Sequence, residues 1–186
     1  RLVFFGIGGA KLDATVERFL REANFPYAIG YGLTESAPLL AGAGTKQTKL
    51  GSTGYAVQGV DLKINNPDKK GLGEIWAKGP NIMLGYYKNP EATSEVLTPD
   101  GWFRTGDYGY LDSHKRLYIK GRMKNTIIGA SGENIYPEDI ESVINNNQYV
   151  LESLVFEEDG DLVAKILLDL EELEKTLTVI RQAFSR

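Results

Sequence analysis

The opening residues do most to restrict the fold. "RLVFF" (1–5) reads as a short buried strand, rich in apolar and aromatic residues, and "GIGGA" follows it as a loop. Asp13 is placed to cap a helix. Leu12, Val16, Phe19 and Leu20 recur at helical spacing through about Ala23. "YAIGYG" (27–32) then reads as a second strand that ends in glycines. Strand, loop, helix and strand in that order form a βαβ unit, so the chain opens as α/β.

From about Lys49 the texture changes. "DLKINN", "GEIWAKG" and "MLGYY" read as short strands separated by Gly, Pro and Asn, and "YGYLDSHKRLYIKGR" (108–122) as a hairpin with Asp112–Lys115 at its tip. This middle third is expected to form a small, twisted, antiparallel β-barrel or sheet. After Lys124 comes another strand. A helix then opens at Pro137, with acids in its first turn and Ile140, Val143 and Ile144 on one face. "SLVFEEDGDLVAKILL" (153–168) reads as a strand pair around Asp159-Gly160, and Leu170, Leu173, Leu177 and Ile180 mark a last helix. The third part is therefore a small α+β domain.

Composition removes several chemistries. The chain has no cysteine, which excludes disulfide scaffolds, thiolate metal sites and cysteine nucleophiles. It has one histidine, so a His-rich zinc site or a serine–histidine triad has only His114, which lies at the predicted hairpin tip and reads as surface. The net charge of −4, with both signs interspersed, gives no electrostatic footprint for nucleic acid. No apolar run approaches the ~20 residues of a membrane helix. "RLVFFGIGGA" has too short an apolar core for a signal peptide. A chain that begins at Arg1, directly on a buried strand, is expected to be a piece of a longer protein.

Four short motifs invite a ligand. Gly6 and Gly8 begin a dinucleotide fingerprint, but position 11 is Lys and the third glycine is missing. In "GYGLTESAP" (30–38), glycines flank Tyr31 and let backbone approach a ligand. Tyr31 offers a face for stacking, Thr34 a hydroxyl for a phosphate oxygen, and Glu35 a hard oxygen donor for Mg²⁺. The same types serve equally well as a strand-to-helix turn with a capping Thr, and residue types alone leave both readings open. Asp107, after Thr105-Gly106, has the acceptor oxygens for a ribose diol, although an Asp in a turn is the commoner case. Arg122 suits a phosphate or ribose; on a hairpin shoulder, Arg122 and Lys124 are more often simply solvated.

Taken together and in order, "GGAKLD", "GYGLTES", "GEIWAKGPNIMLGYYKNPEAT", "GWFRTGD" and "GRMKNTIIGASGENIYPEDIE" resemble the adenylate-forming superfamily: acyl-CoA synthetases, luciferases and the adenylation domains of peptide synthetases. The resemblance covers roughly positions 8 to 141 and is closest to the long-chain fatty-acid–CoA ligases. It implies a two-step reaction. A carboxylic acid and Mg-ATP give an acyl-adenylate and pyrophosphate, and a thiol, usually coenzyme A, then gives a thioester and AMP.

The resemblance also implies residue roles. Gly8, Gly9 and Ala10 would line the nucleotide and acyl pocket, and Tyr31 would stack on adenine between Gly30 and Gly32. Thr34 would contact phosphate and Glu35 would hold Mg²⁺. Asp107 would take the ribose hydroxyls with Arg122 beside it. Lys124 would be the hinge, and the Ser131-Gly132-Glu133 loop would line the thiol's approach. On this reading 1–123 is the C-terminal part of a large AMP-binding domain, made of an α/β segment (1–48) and a barrel-like segment (49–123). Residues 124–186 are part of a small C-terminal domain.

The family's Ser/Thr/Gly-rich phosphate loop is expected upstream. Its C-terminal lysine, in a segment like "PKTxxGKxxR", is not recognisable, and Lys175 lacks that context. The expected partners are a carboxylic acid (a fatty acid on the closest resemblance), ATP and coenzyme A. The expected setting is cytoplasmic, with peripheral membrane contact open. Two alternatives stand: an adenylation domain that loads an amino or aryl acid onto a carrier protein, and a non-catalytic nucleotide-binding module.

Overall fold

The computed structural model describes residues 2–129 and 131–184, with side chains up to residue 178. The chain divides into two compact units, Arg1–Met123 and Lys124–Arg186.

The first unit opens with the expected βαβ pattern: β1 (Phe5–Ile7), α1 (Ala14–Glu22) and β2 (Tyr27–Gly32). β1 and β2 pair in parallel with Phe5 opposite Tyr27. The Asp13 carboxylate caps α1, accepting from the backbone N–H groups of Thr15 at 2.8 Å and Val16 at 3.0 Å. β3 (Leu39–Gly42) and β4 (Tyr55–Ala56) extend this sheet in the order β1-β2-β3-β4.

Two expectations about this region need correction. The first strand starts later than "RLVFF" suggests, and Leu2, Val3, Phe4 and Phe5 are exposed, because β1 is an edge strand with β2 as its neighbour. The apolar stripe of α1 also faces outward at Val16 and Phe19, whereas Glu17 is buried at 2% exposure. Glu17 tolerates burial because its carboxylate is hydrogen-bonded, accepting from the Tyr27 hydroxyl at 3.0 Å and from Gly51 N–H at 2.8 Å.

β5 (Asp61–Asn65), β6 (Gly73–Lys78), α2 (Pro90–Val96), β7 (Phe103–Leu111) and β8 (Leu117–Arg122) complete the unit. The four strands pair antiparallel in the order β5-β6-β7-β8. The expected antiparallel sheet is present, but it forms no barrel. β5 and β8 remain edges, and no sheet among the described residues closes on itself. Four strands are too few to turn back and pair first with last. "MLGYY" is a loop rather than a strand.

Period-two alternation decides what points inward. On β6 the buried residues are Gly73, Ile75 and Ala77; on β7 they are Phe103, Thr105, Asp107 and Gly109. The core joins both sheets through Tyr31, Leu40, Ala41, Val60, Ile75 and Leu117. Leu117 also ties β8 to the segment before β4, donating to the Gly54 carbonyl at 2.7 Å and accepting from Thr53 at 3.0 Å. At the β7–β8 tip the Asp112 carboxylate accepts from the backbones of His114 and Arg116, each at 2.9 Å, and His114 is exposed as expected.

The second unit contains β9 (Ile127–Ile128), β10 (Asn134–Ile135), α3 (Pro137–Ile144), β11 (Val150–Glu158), β12 (Asp161–Leu168) and α4 (Leu170–Phe184). It is α+β, as expected. Glu141 of α3 accepts from Val155 N–H at 2.8 Å and so fixes the helix on β11, where Ser153 and Val155 are buried. That inward turn of Glu141 leaves Val143 at 72% exposure, so Val143 is not on the packed face as expected. β11 and β12 meet at Asp159-Gly160, with φ of 54° and 88°, the left-handed pair of a two-residue hairpin turn. In α4, Leu173 is half-buried while Leu170 and Leu177 are exposed; the Ile180 side chain lies outside the described residues. No helix among the described residues is long and apolar enough to cross a membrane.

Candidate functional site

Ligands of open α/β sheets gather beyond the carboxyl ends of parallel strands. In the first unit those ends lead into Gly8-Gly9-Ala10 after β1 and into Leu33–Ser36 after β2. An open cleft of about 930 Å³ lies there, and its lining includes Gly8, Gly9, Gly30, Thr34, Glu35 and Arg122. Ala10 is exposed in the same loop.

The glycines have separate reasons to be glycine. A Cβ on Gly8 would come within 3.3 Å of the Gly30 carbonyl, so these two backbones face each other at close range. Gly9 needs its freedom for conformation, with φ of 86° and open space around it. Gly32 is fixed by crowding inside the protein, since a Cβ there would run into the Pro38 carbonyl.

The Thr34–Ser36 segment is a single 3₁₀ turn. Ser36 is fully buried; its hydroxyl accepts from Leu33 N–H at 3.0 Å and lies 2.5 Å from the Pro38 carbonyl oxygen. Ala37 follows with φ of 50°, which is uncommon for a residue with a side chain. This shape is held from outside. Asn81 Nδ2 donates to the Ser36 carbonyl at 2.7 Å and the Leu39 carbonyl at 2.9 Å, and Met83 N–H donates to the Glu35 carbonyl at 2.8 Å. The Tyr86 hydroxyl donates to Glu35 Oε1 at 2.9 Å. Sequence reasoning gave Ser36, Asn81 and Tyr86 no role. The one available signal was that Asn81 and Tyr86 both lie in "GPNIMLGYY".

Asp107 is in strand β7 and not in a turn. It points into the core at 5% exposure. Tyr31 Oη donates to Asp107 Oδ2 at 2.6 Å, and Arg122 Nε lies 3.0 Å from Oδ1, directly across from Asp107 in the β7–β8 register. Arg122 also donates to the Thr105 carbonyl at 3.2 Å. Burial first, and then the Asp107 charge, push the Tyr31 phenol well above its ordinary pKa. The structure thus joins Tyr31, Asp107 and Arg122 through direct contacts, and places Thr34 and Glu35 on the cleft that Arg122 also lines. Lys124 is exposed in a 3₁₀ turn, Met123–Asn125, and is the first residue of the second unit.

Glu35 suits Mg²⁺. It is a half-buried hard oxygen donor on the cleft, and its Oε2 has no partner among the described residues. The described residues hold no cluster of three or more His, Cys, Asp or Glu, and Mg²⁺ needs only one or two carboxylates when phosphates supply the rest.

The fold is of the adenylate-forming class. It is similar to o-succinylbenzoate CoA synthetase (MenE) from Bacillus subtilis in complex with the acyl-adenylate intermediate OSB-AMP, with a TM-score of 0.81, 34% identity, and coverage of 89% of this chain and 36% of that one. The same synthetase with ATP and a magnesium ion gives a TM-score of 0.77 at 33% identity, again over 89% of this chain and 36% of that one. Residues 1–87 match the AMP-binding enzyme family and are part of an AMP-binding family domain. The mouse long-chain-fatty-acid–CoA ligase ACSBG1 is 35% identical over 95% of this chain and 25% of its own length. An Arabidopsis thaliana chloroplastic long-chain-fatty-acid–[acyl-carrier-protein] ligase, AEE15, is 32% identical over 87% of this chain and 24% of its own length. The chain therefore spans about a quarter of the length of these curated relatives.

Proposed function

We propose that this chain is the C-terminal portion of an ATP-dependent fatty-acid–CoA ligase. The carboxylate oxygen of the acid attacks the α-phosphorus of ATP, pyrophosphate leaves, and the thiol of coenzyme A then attacks the acyl carbon as AMP departs. One observation carries the reading. A buried aspartate is held by both Tyr31 and Arg122 on the core face of β7, and Arg122 also lines the cleft that contains Thr34 and Glu35. Asp107 accepts from the ribose hydroxyls, with Tyr31 and Arg122 fixing its orientation. Gly8, Gly9, Ala10, Gly30 and Gly32 admit the nucleotide, and Tyr31, buried in the core instead of presenting a face for adenine, serves it through Asp107. Thr34 donates to a phosphate oxygen. Glu35 holds Mg²⁺, which, when bound, neutralises phosphate charge. The protein's own contribution is positioning and electrostatic stabilisation.

Lys124 is the joint on which the second unit changes its arrangement between the half-reactions, and the division of the chain between Met123 and Lys124 supports this.

Pyrophosphate exchange by the full-length enzyme over a panel of acids tests the reading, with exchange expected for long-chain fatty acids. Exchange with amino or aryl acids alone would replace the substrate class. ATP binding with no exchange for any acid would leave a non-catalytic nucleotide module. The Arabidopsis relative, named for an acyl-carrier-protein acceptor, favours a second reading of the thiol. Product formation with coenzyme A against a carrier protein separates the two.

A further inference from the structure

The Glu35 carboxylate sits on a side chain with three rotatable bonds, and a free glutamate would lose rotamer freedom on gripping a cation. The structure has already removed part of that freedom. Tyr86 Oη donates to Glu35 Oε1 at 2.9 Å, and Met83 of the same loop holds the Glu35 backbone through its carbonyl at 2.8 Å.

The loop that carries Tyr86 is itself anchored. Tyr86 N–H donates to Thr93 Oγ1 at 2.9 Å, and Thr93 donates to the Asn89 carbonyl at 2.7 Å on the first turn of α2. Gly85 has φ of 146°, and a Cβ there would lie 2.8 Å from Thr93 Cγ2, so the loop is pressed against the helix. Glu35 is thereby fixed from α2, through a tyrosine 51 residues distant in sequence.

We propose that Tyr86 is a positioning residue for Glu35. Its phenol fixes one carboxylate oxygen and so orients the carboxylate toward the divalent cation that accompanies the ATP phosphates. This rests on the reading of Glu35 as the metal ligand. Groups that orient a metal-bound carboxylate typically change metal affinity 10–100-fold when removed.

The experiment compares the full-length enzyme with Tyr86→Phe, Glu35→Gln and the double variant. Mn²⁺ binding in the presence of ATP is read by electron paramagnetic resonance, and the Mg²⁺ dependence of pyrophosphate exchange is read alongside. Phenylalanine keeps the ring and removes only the donor. Tyr86→Phe is expected to weaken Mn²⁺ binding on the order of 10-fold, with the KM for the acid unchanged. The double variant is expected to bind no more weakly than Glu35→Gln. If Glu35→Gln binds Mn²⁺ normally, the metal reading of Glu35 is wrong. If Glu35→Gln weakens binding and Tyr86→Phe does not, that reading stands and the role of Tyr86 is overturned. If Tyr86→Phe also lowers the thermal midpoint, the cycle still decides: a general loosening adds to Glu35→Gln, whereas positioning does not.

Discussion

Tyr31 on β2 donates to Asp107 on β7 across 2.6 Å, joining two sheets through residues 76 apart in sequence. Both residues are buried, and Asp107 also meets Arg122 at 3.0 Å. A buried carboxylate is stable only if its oxygens are satisfied, so Tyr31 supports both the core and the proposed ribose acceptor. Tyr31→Phe should therefore cost about 1.5–3 kcal/mol of stability, the range for a hydrogen bond to a charged group. Urea unfolding of the full-length enzyme measures this. Nucleotide affinity should fall in the same variant. A loss below about 0.5 kcal/mol would show that Asp107 is satisfied without Tyr31.

The same pair sets a pH response. Burial, and then the Asp107 charge, hold the Tyr31 phenol well above its ordinary pKa of about 10. The folded chain thus keeps a proton that the unfolded chain gives up. The stabilisation is complete below about pH 10 and is lost as pH rises beyond it. Tyr31→Phe has no such proton, so its stability deficit should shrink between about pH 9 and about pH 11. Urea midpoints across that range check this. A constant deficit would mean that the phenol ionises as readily in the folded state.

Gly32 and Gly9 separate two kinds of glycine requirement. A Cβ on Gly32 would meet the Pro38 carbonyl, so Gly32→Ala must displace the turn that carries Thr34 and Glu35. Gly9 has open space, and Gly9→Ala faces only the cost of a left-handed φ, about 1–2 kcal/mol. Calorimetric ATP binding should therefore fall in both, because the open space at Gly9 belongs to the cleft, while the urea midpoint should fall further in Gly32→Ala than in Gly9→Ala. Equal midpoints would show that the turn yields to a Cβ at position 32.

Much of this was legible in the chain, and the rest was not for identifiable reasons. β2, the cap at Asp13 and the Asp159-Gly160 turn follow from local signals that their neighbours reinforce. Asp107 reads as a turn residue because Thr-Gly-Asp is turn-like. In the fold, Gly106 keeps a turn-like φ of 71° inside β7, and the register shift between Glu74 and Trp76, which pair with Tyr108 and Arg104, absorbs the irregularity. Glu17 on α1 shows the limit of periodicity. Leu12, Val16, Phe19 and Leu20 define an apolar stripe, yet Glu17 is buried because Tyr27 and Gly51 satisfy it. Asn81 and Tyr86 could not be assigned roles from local pattern, since their partners lie 45 and 51 residues away.

The last prediction concerns Lys124. It is exposed, lies in a 3₁₀ turn, and begins the second unit. A joint works by letting a few residues take up a backbone change. Proline at 124 would lock φ near −65° and restrict Met123 as well. If Lys124 is the proposed joint, Lys124→Pro in the full-length enzyme should slow thioester formation from preformed acyl-adenylate by far more than it slows pyrophosphate exchange. Lys124→Ala removes the charge but keeps the backbone free, so it separates the two possible causes. It should leave the thioester step much closer to normal than the proline does. Equal loss of both half-reactions in Lys124→Pro would reduce the residue to a solvated lysine in a turn. A proline-sized defect in Lys124→Ala would move the role from the backbone to the ammonium group.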